Sequence, residues 1–159
     1  MNLYMKQKVF SWGDRFSIFD SAGNPKYTVE GEVFSFGKKL HLYDLEGNEL
    51  AFIQQKLFSW LPKYYISRPG FGDVQVVKEF TFFYPKYNVP ELGWEISGDF
   101  WDHSYEIDQN GKTIASVSKQ WLSWGDAYEI SIGSYENEIT ALAVVLVIDA
   151  CIEAQRNNN

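Results

Sequence analysis

A short phrase returns along this chain at a fixed spacing. Phe10-Ser-Trp-Gly13 recurs as Phe34-Ser-Phe-Gly37 and as Phe58-Ser-Trp60, 24 residues apart each time. Asp20-Ser-Ala-Gly-Asn24 comes back as Asp44-Leu-Glu-Gly-Asn48 at the same offset. A second match lies 64 residues downstream. There Gly47-Asn-Glu-Leu-Ala51 leading to Ser59-Trp60 parallels Gly111-Lys-Thr-Ile-Ala115 leading to Ser123-Trp124, and Tyr64, Ile66 and Ser67 fall opposite Tyr128, Ile130 and Ser131. Self-similarity of this kind means one supersecondary unit used several times.

The unit has the chemistry of a β-hairpin. Asp-x-x-Gly-Asn makes a tight turn, because Gly accepts positive φ and Asp or Asn hydrogen-bonds to nearby backbone. Period-2 apolar patterns flank it: Phe16 and Ile18 before the first turn, Tyr27 and Val29 after it, Leu40 and Leu42 before the second. The Ser-Trp-Gly-Asp element supplies the opposite turn. Strand-like runs fall at about 4–10, 15–20, 26–34, 38–44, 49–58, 63–68, 74–83, 92–97, 101–108, 112–121 and 126–132. Eleven or so short strands in series predict an antiparallel sheet that closes on itself. Tyr84-Pro85 to Glu91 reads as a loop joining two halves.

The pattern ends at Ile139–Ile152, apolar except for Thr140 and Asp149. Periodicity alone admits either a buried strand or a buried helix here. Asn137 and Glu138 suit a helix start and Gln155-Arg156 a polar finish. As a helix the stretch would reach roughly 21 Å at about 1.5 Å per residue, short of a hydrocarbon layer about 30 Å thick. A helix apolar on all sides must be surrounded by protein. The expected arrangement is therefore one domain over 1–159, with barrel strands in 1–136 and a helix over 137–156 threaded through them. Aromatics, 18% of the chain, would fill the space between.

These features resemble the LURP-one-related proteins, bacterial members included: hairpins of the Ser-Trp-Gly-Asp-x-Tyr-x-Ile type, then a final apolar segment ending Ile148-Asp149-Ala150. The resemblance covers nearly the whole chain. It implies a mainly β, tubby-like fold, a closed antiparallel barrel of about twelve strands around a hydrophobic C-terminal α-helix. Tubby proteins and phospholipid scramblases are similar folds, so the resemblance also implies phospholipid or membrane-surface binding. The basic residues available are Lys38, Lys39, Lys63 and Arg68. None stands in the Lys-x-Arg arrangement that tubby domains use, and no scramblase-type calcium or lipid-anchoring segment is evident.

Charge narrows the partners further. The net charge of -7 disfavours nucleic acid, and residues 1–90 carry +2 against -9 for 91–159, so an anionic surface would be met through the first half. The amino-terminal stretch has no apolar run after its charges, and one cysteine, Cys151, allows no internal disulfide. Both fit a cytoplasmic protein.

Enzyme signatures are absent: no nucleophile elbow, phosphate loop or zinc-protease motif occurs. His41 reads as an exposed strand residue. His103 sits in the acidic stretch Asp99–Asp108, where Asp102, Glu106 and Asp108 share one strand face and His103 takes the other. Asp149, costly inside an apolar helix unless hydrogen-bonded, is assigned to a polar position at the barrel mouth. Trp12, Trp60 and Trp124, at equivalent repeat positions, are expected to pack helix against wall. The expectation is a non-enzymatic domain with no cofactor or metal, binding phospholipid or another hydrophobic ligand, or a protein. A carbohydrate- or protein-binding β module using exposed aromatics is the alternative.

Overall fold

A computed structural model describes residues 1–6, 15–33, 35–123 and 125–159. Its strands follow the alternation of the sequence: β1 (Asn2–Lys6), β2 (Arg15–Phe19), β3 (Pro25–Gly31), β4 (Lys39–Tyr43), β5 (Glu49–Gln55), β6 (Lys63–Ser67), β7 (Val74–Lys78), β8 (Tyr87–Val89), β9 (Trp94–Asp99), β10 (Ser104–Gln109), β11 (Lys112–Leu122) and β12 (Gly125–Ile132). Every strand pairs antiparallel with its sequence neighbours, and β1 closes the ring on β12 from Asn2↔Ser131 to Lys6↔Ala127. The result is a twelve-stranded up-and-down barrel, closed as the repeats predict and with the strand number that the family resemblance implies.

The repeat is visible as geometry. Asp20 Oδ1 accepts hydrogen bonds from the Ala22 and Asn24 amides, both at 2.9 Å. Asp44 Oδ1 does the same for Glu46 and Asn48 at 2.9 and 2.8 Å. Gly23 and Gly47 hold φ of 82° and 87°, values that favour glycine. Register irregularities at Ile18/Phe19 and Leu42/Tyr43 repeat the same offset.

Inside the wall runs α1 (Glu138–Asn157), 20 residues long. Leu142 to Leu146, Ile148 and Ala150 have no exposed surface. The inward members of the strands, among them Leu3, Ile18, Val29, Leu42, Ile53, Ile66, Ile96 and Ile130, are buried with them in one cluster. The apolar segment is thus the core of the barrel, and no described helix is long and apolar enough to cross a membrane.

One segment departs from the sequence reading. Residues 84–91, read as a loop between halves, contain β8, which pairs with β7 at Val77↔Asn88 and with β9 from Tyr87↔Ile96 to Val89↔Trp94. The strand is three residues long between Pro85 and Pro90, too short to show a period. β7 correspondingly stops at Lys78 instead of running on to 83.

Candidate functional site

Strand order sorts the connections into two ends. Those leaving odd-numbered strands (32–38, 56–62, 79–86, 100–103 and 123–124) share one rim, and those leaving even-numbered strands share the other. Helix α1 follows β12, so it begins at the even end and points its C-terminus toward the odd rim.

Three of the four basic residues, Lys38, Lys39 and Lys63, lie at the odd end, and Arg68 lies at the even end. Lys63 opens β6 and Arg68 follows its end, about 17 Å apart at roughly 3.3 Å per residue. Arg68 Nη1 donates to Thr140 Oγ1 at 2.7 Å, near the helix start, and its guanidinium lies 4.1 Å over the Phe71 ring. Lys38 works at the other end, donating to the Ala150 carbonyl at 3.1 Å with Glu153 Oε2 at 3.7 Å. Burial draws Lys38 below and Glu153 above their ordinary pKa values, each partly held back by the other's charge. Lys39 pairs with Glu32 at 3.6 Å. Two of the four cations therefore hold the helix in the barrel, and a third, Lys39, is paired on the wall.

A further tether escaped the sequence reading. Glu138, buried at the helix start, accepts hydrogen bonds from Lys26 Nζ at 2.7 Å and the Tyr27 hydroxyl at 2.6 Å. An acid in the first helical turn also suits the helix dipole. Its only sequence signal was a carboxylate at a helix start; the partners lie more than 100 residues upstream.

Asp149 lies at the odd end, 9% exposed. Its Oδ1 is 3.4 Å from Nδ1 of His103, itself 5% exposed. His103 occupies the β9–β10 turn at φ 49° and stacks on Tyr128 with centroids 4.0 Å apart. It is buried while Asp102 and Glu106 are exposed and Asp108 is half-buried, but Asp102 and His103 stand in the turn before β10, so the expected strand alternation does not set their directions. His41 departs from expectation: it is half-buried, bridging Glu32 at 2.8 Å and Glu49 at 3.0 Å and stacked on Phe52. Burial alone would lower its pKa; the two carboxylates outweigh that and raise it.

Trp60 reverses its assignment. It is 93% exposed in the β5–β6 connection, so it does not pack the helix. The repeat places Trp60 in a turn, whereas inward positions belong to strands. Trp12 and Trp124 lie outside the described residues. Among the described tryptophans, Trp94, which has no repeat partner, is the buried one.

Trp60 has company. Phe36, Leu57, Phe58, Phe80, Phe82, Phe83, Tyr84, Trp101 and Trp121 are also exposed, all at the odd rim. Of the described even-end connections, the exposed large apolar side chains are Leu45, Phe71 and Tyr135. The described rim connections balance Lys38, Lys56 and Lys86 against Glu32, Glu79 and Asp102, whereas the even-end connections carry Asp20, Asp44, Glu46, Asp73, Glu91 and Glu136 with Arg68. One end is aromatic and near-neutral, the other acidic. The repeat explains the segregation: 24 residues span two strands and two turns, so described residues at that spacing, such as Phe58 and Phe82, return to the same end. Phe82 continues the series Phe10, Phe34, Phe58, a signal available in the sequence. At this rim a cleft of 860 Å³ separates the β7–β8 connection from the end of β9.

Comparison with known proteins gives three concordant findings. Residues 1–149 match the profile of the family described as LURP-one-related. The chain is 41% identical over 149 residues to the uncharacterized protein YxjI of Bacillus subtilis strain 168, covering 94% of this chain and 92% of that protein. An X-ray structure of a protein from Arabidopsis thaliana aligns with a TM-score of 0.60 at 16% identity, over 91% of this chain and 88% of that one. This last likeness concerns the fold.

Proposed function

The chain belongs to the LURP-one-related family, and from that premise we propose that it is a non-catalytic tubby-like barrel that docks on phospholipid surfaces through its aromatic rim. The observation carrying this reading is the segregation of exposed rings to one end. Soluble proteins rarely leave large apolar patches uncovered, and aromatic side chains favour the membrane–water boundary. Each phenylalanyl side chain removed from water contributes about 1.5–3 kcal/mol, so a few rings suffice for reversible attachment.

The alternative of carbohydrate binding draws on the same rings. Phe36, Phe58, Phe80, Phe82 and Phe83 carry no hydrogen-bonding atom, which favours hydrocarbon over sugar hydroxyls. The absence of catalysis is part of the proposal, supported by the burial of His103 and Asp149, which keeps a substrate from the one imidazole–carboxylate pair with interior character. A cytoplasmic setting belongs to it too, supported by the single buried cysteine.

Sedimentation with phosphatidylcholine and phosphatidylglycerol vesicles tests the reading. The chain should pellet with both, and the Phe58→Asp/Trp60→Asp variant should bind at least about tenfold more weakly with an unchanged melting temperature. Absence of sedimentation at low salt, or equal binding by the variant, overturns it.

A further inference from the structure

The cleft at the aromatic rim is a gap in the barrel wall with a topological cause. β9 runs to Asp99 along β10, with Ser97↔Glu106, Gly98↔Tyr105 and Asp99↔Ser104 paired. On its other side it is paired only as far as Tyr87↔Ile96. The positions that would extend that pairing are Lys86 against Ser97 and Pro85 against Gly98. Pro85 has no N–H to donate, and the chain before it leaves the sheet. What remains is 860 Å³ of space between the departing segment and the end of β9, within the range of about 300–1,000 Å³ typical of small-molecule sites.

Its lining is mostly carbon: Phe82, Phe83, Tyr84, Pro85, Phe100 and Trp101. The charged residues beside it are already engaged. Lys86 pairs with Glu95 at 3.3 Å, and Asp99 accepts the Asp102 amide at 3.1 Å. Phe100 is buried, held edge-on to Tyr87 at 5.1 Å, so the floor is fixed by the core while Phe82 and Phe83 on the opposite side are exposed.

We infer that this cleft is a slot for a single acyl chain, recognised by its hydrocarbon and not by its headgroup. The inference rests on the membrane reading, which brings the same rim to the bilayer, the source of such chains. A strand-adding peptide fits less well, since the free β9 edge is three residues long. A free fatty acid and a lipid tail share the relevant chemistry, and a short-chain lysophosphatidylcholine competed beside the fatty acids separates them: displacement of the probe by both means a slot for the chain whatever its source, by the fatty acid alone a slot for the free acid.

Monomeric fatty acids from octanoate to palmitate, with the matching fatty alcohols, are competed against cis-parinaric acid on the full chain. Affinity should rise roughly three- to fourfold per added methylene, with alcohols within about threefold of the acids. Ser97→Trp, which fills the cleft from an exposed position, should weaken binding by at least about tenfold, and so should Phe83→Asp. Gly98 is avoided because a Cβ there would lie 2.5 Å from the Ser104 carbonyl oxygen. Ser97→Trp should still pellet with vesicles, and Phe58→Asp/Trp60→Asp should still bind fatty acid. Affinity independent of chain length, no saturable binding, or full binding by folded Ser97→Trp overturns the slot. Vesicle binding without fatty-acid binding removes the slot alone; fatty-acid binding without vesicle binding removes the membrane reading alone.

Discussion

Lys38 shows what a basic residue costs and does when a helix lies beneath it. Half-buried, it gives up hydration to reach the Ala150 carbonyl and the Glu153 carboxylate. Replacing it with methionine keeps the aliphatic stem but strands Glu153. Lys38→Met should therefore lower stability by about 1–3 kcal/mol in urea denaturation, while vesicle affinity stays within about twofold, the opposite of what a headgroup contact would give. His41 sets a pH dependence. Its folded pKa stands above the unfolded value of about 6.5, so its contribution is complete below that value and is lost as pH rises through the folded one. The urea midpoint should fall as pH is raised from about 6.5, and His41→Gln should flatten that slope. His41 meets carboxylates eight and nine residues away, but the role of Lys38 could not be read locally. Lys38 and its carbonyl are 112 residues apart, and a sequence shows such a cation only as a cation.

At the scale of elements the sequence was much more legible. Period-2 alternation and the two Asp-x-x-Gly-Asn turns specify hairpins, because each signal is contained within a few residues. The apolar stretch after Asn137 admitted strand or helix, and closure of β1 on β12 decides between them: a closed ring has no edge for another strand, but its interior must be filled. β8 was lost because three residues between prolines carry no period. Trp60 lies outside the core because equivalence within the repeat is equivalence of turns, and a turn position faces the rim and not the interior. The helix itself makes a sharp prediction. Leu146 has no exposed surface and is enclosed by the strands on all sides, so neighbours locked in a closed wall cannot collapse onto a void. Leu146→Ala should cost about 3–5 kcal/mol, toward the upper end for such truncations, measured as a shift in the denaturation midpoint at constant slope.

The whole molecule is polarised, and its polarity predicts how attachment depends on salt. Cation-led binding weakens steeply as ionic strength screens the attraction. Here Lys38, Lys39 and Arg68 are occupied within the fold, the rim charges balance, and the rings supply the driving force. Affinity for phosphatidylglycerol vesicles should therefore fall by less than about twofold over a roughly tenfold rise in salt. The acidic even end, repelled by anionic lipid, should keep the barrel standing on its rim. Spin labels at Phe58→Cys and Glu46→Cys, on opposite ends, read this directly. Cys151 will not compete for the label, since it is buried and burial pushes its thiol up to about 11. The Phe58→Cys label should enter the lipid and become shielded from aqueous quenchers on vesicle addition, while the Glu46→Cys label stays in water. Equal shielding at both ends would mean that the barrel lies on its side, and a steep salt dependence would return the binding to the cations.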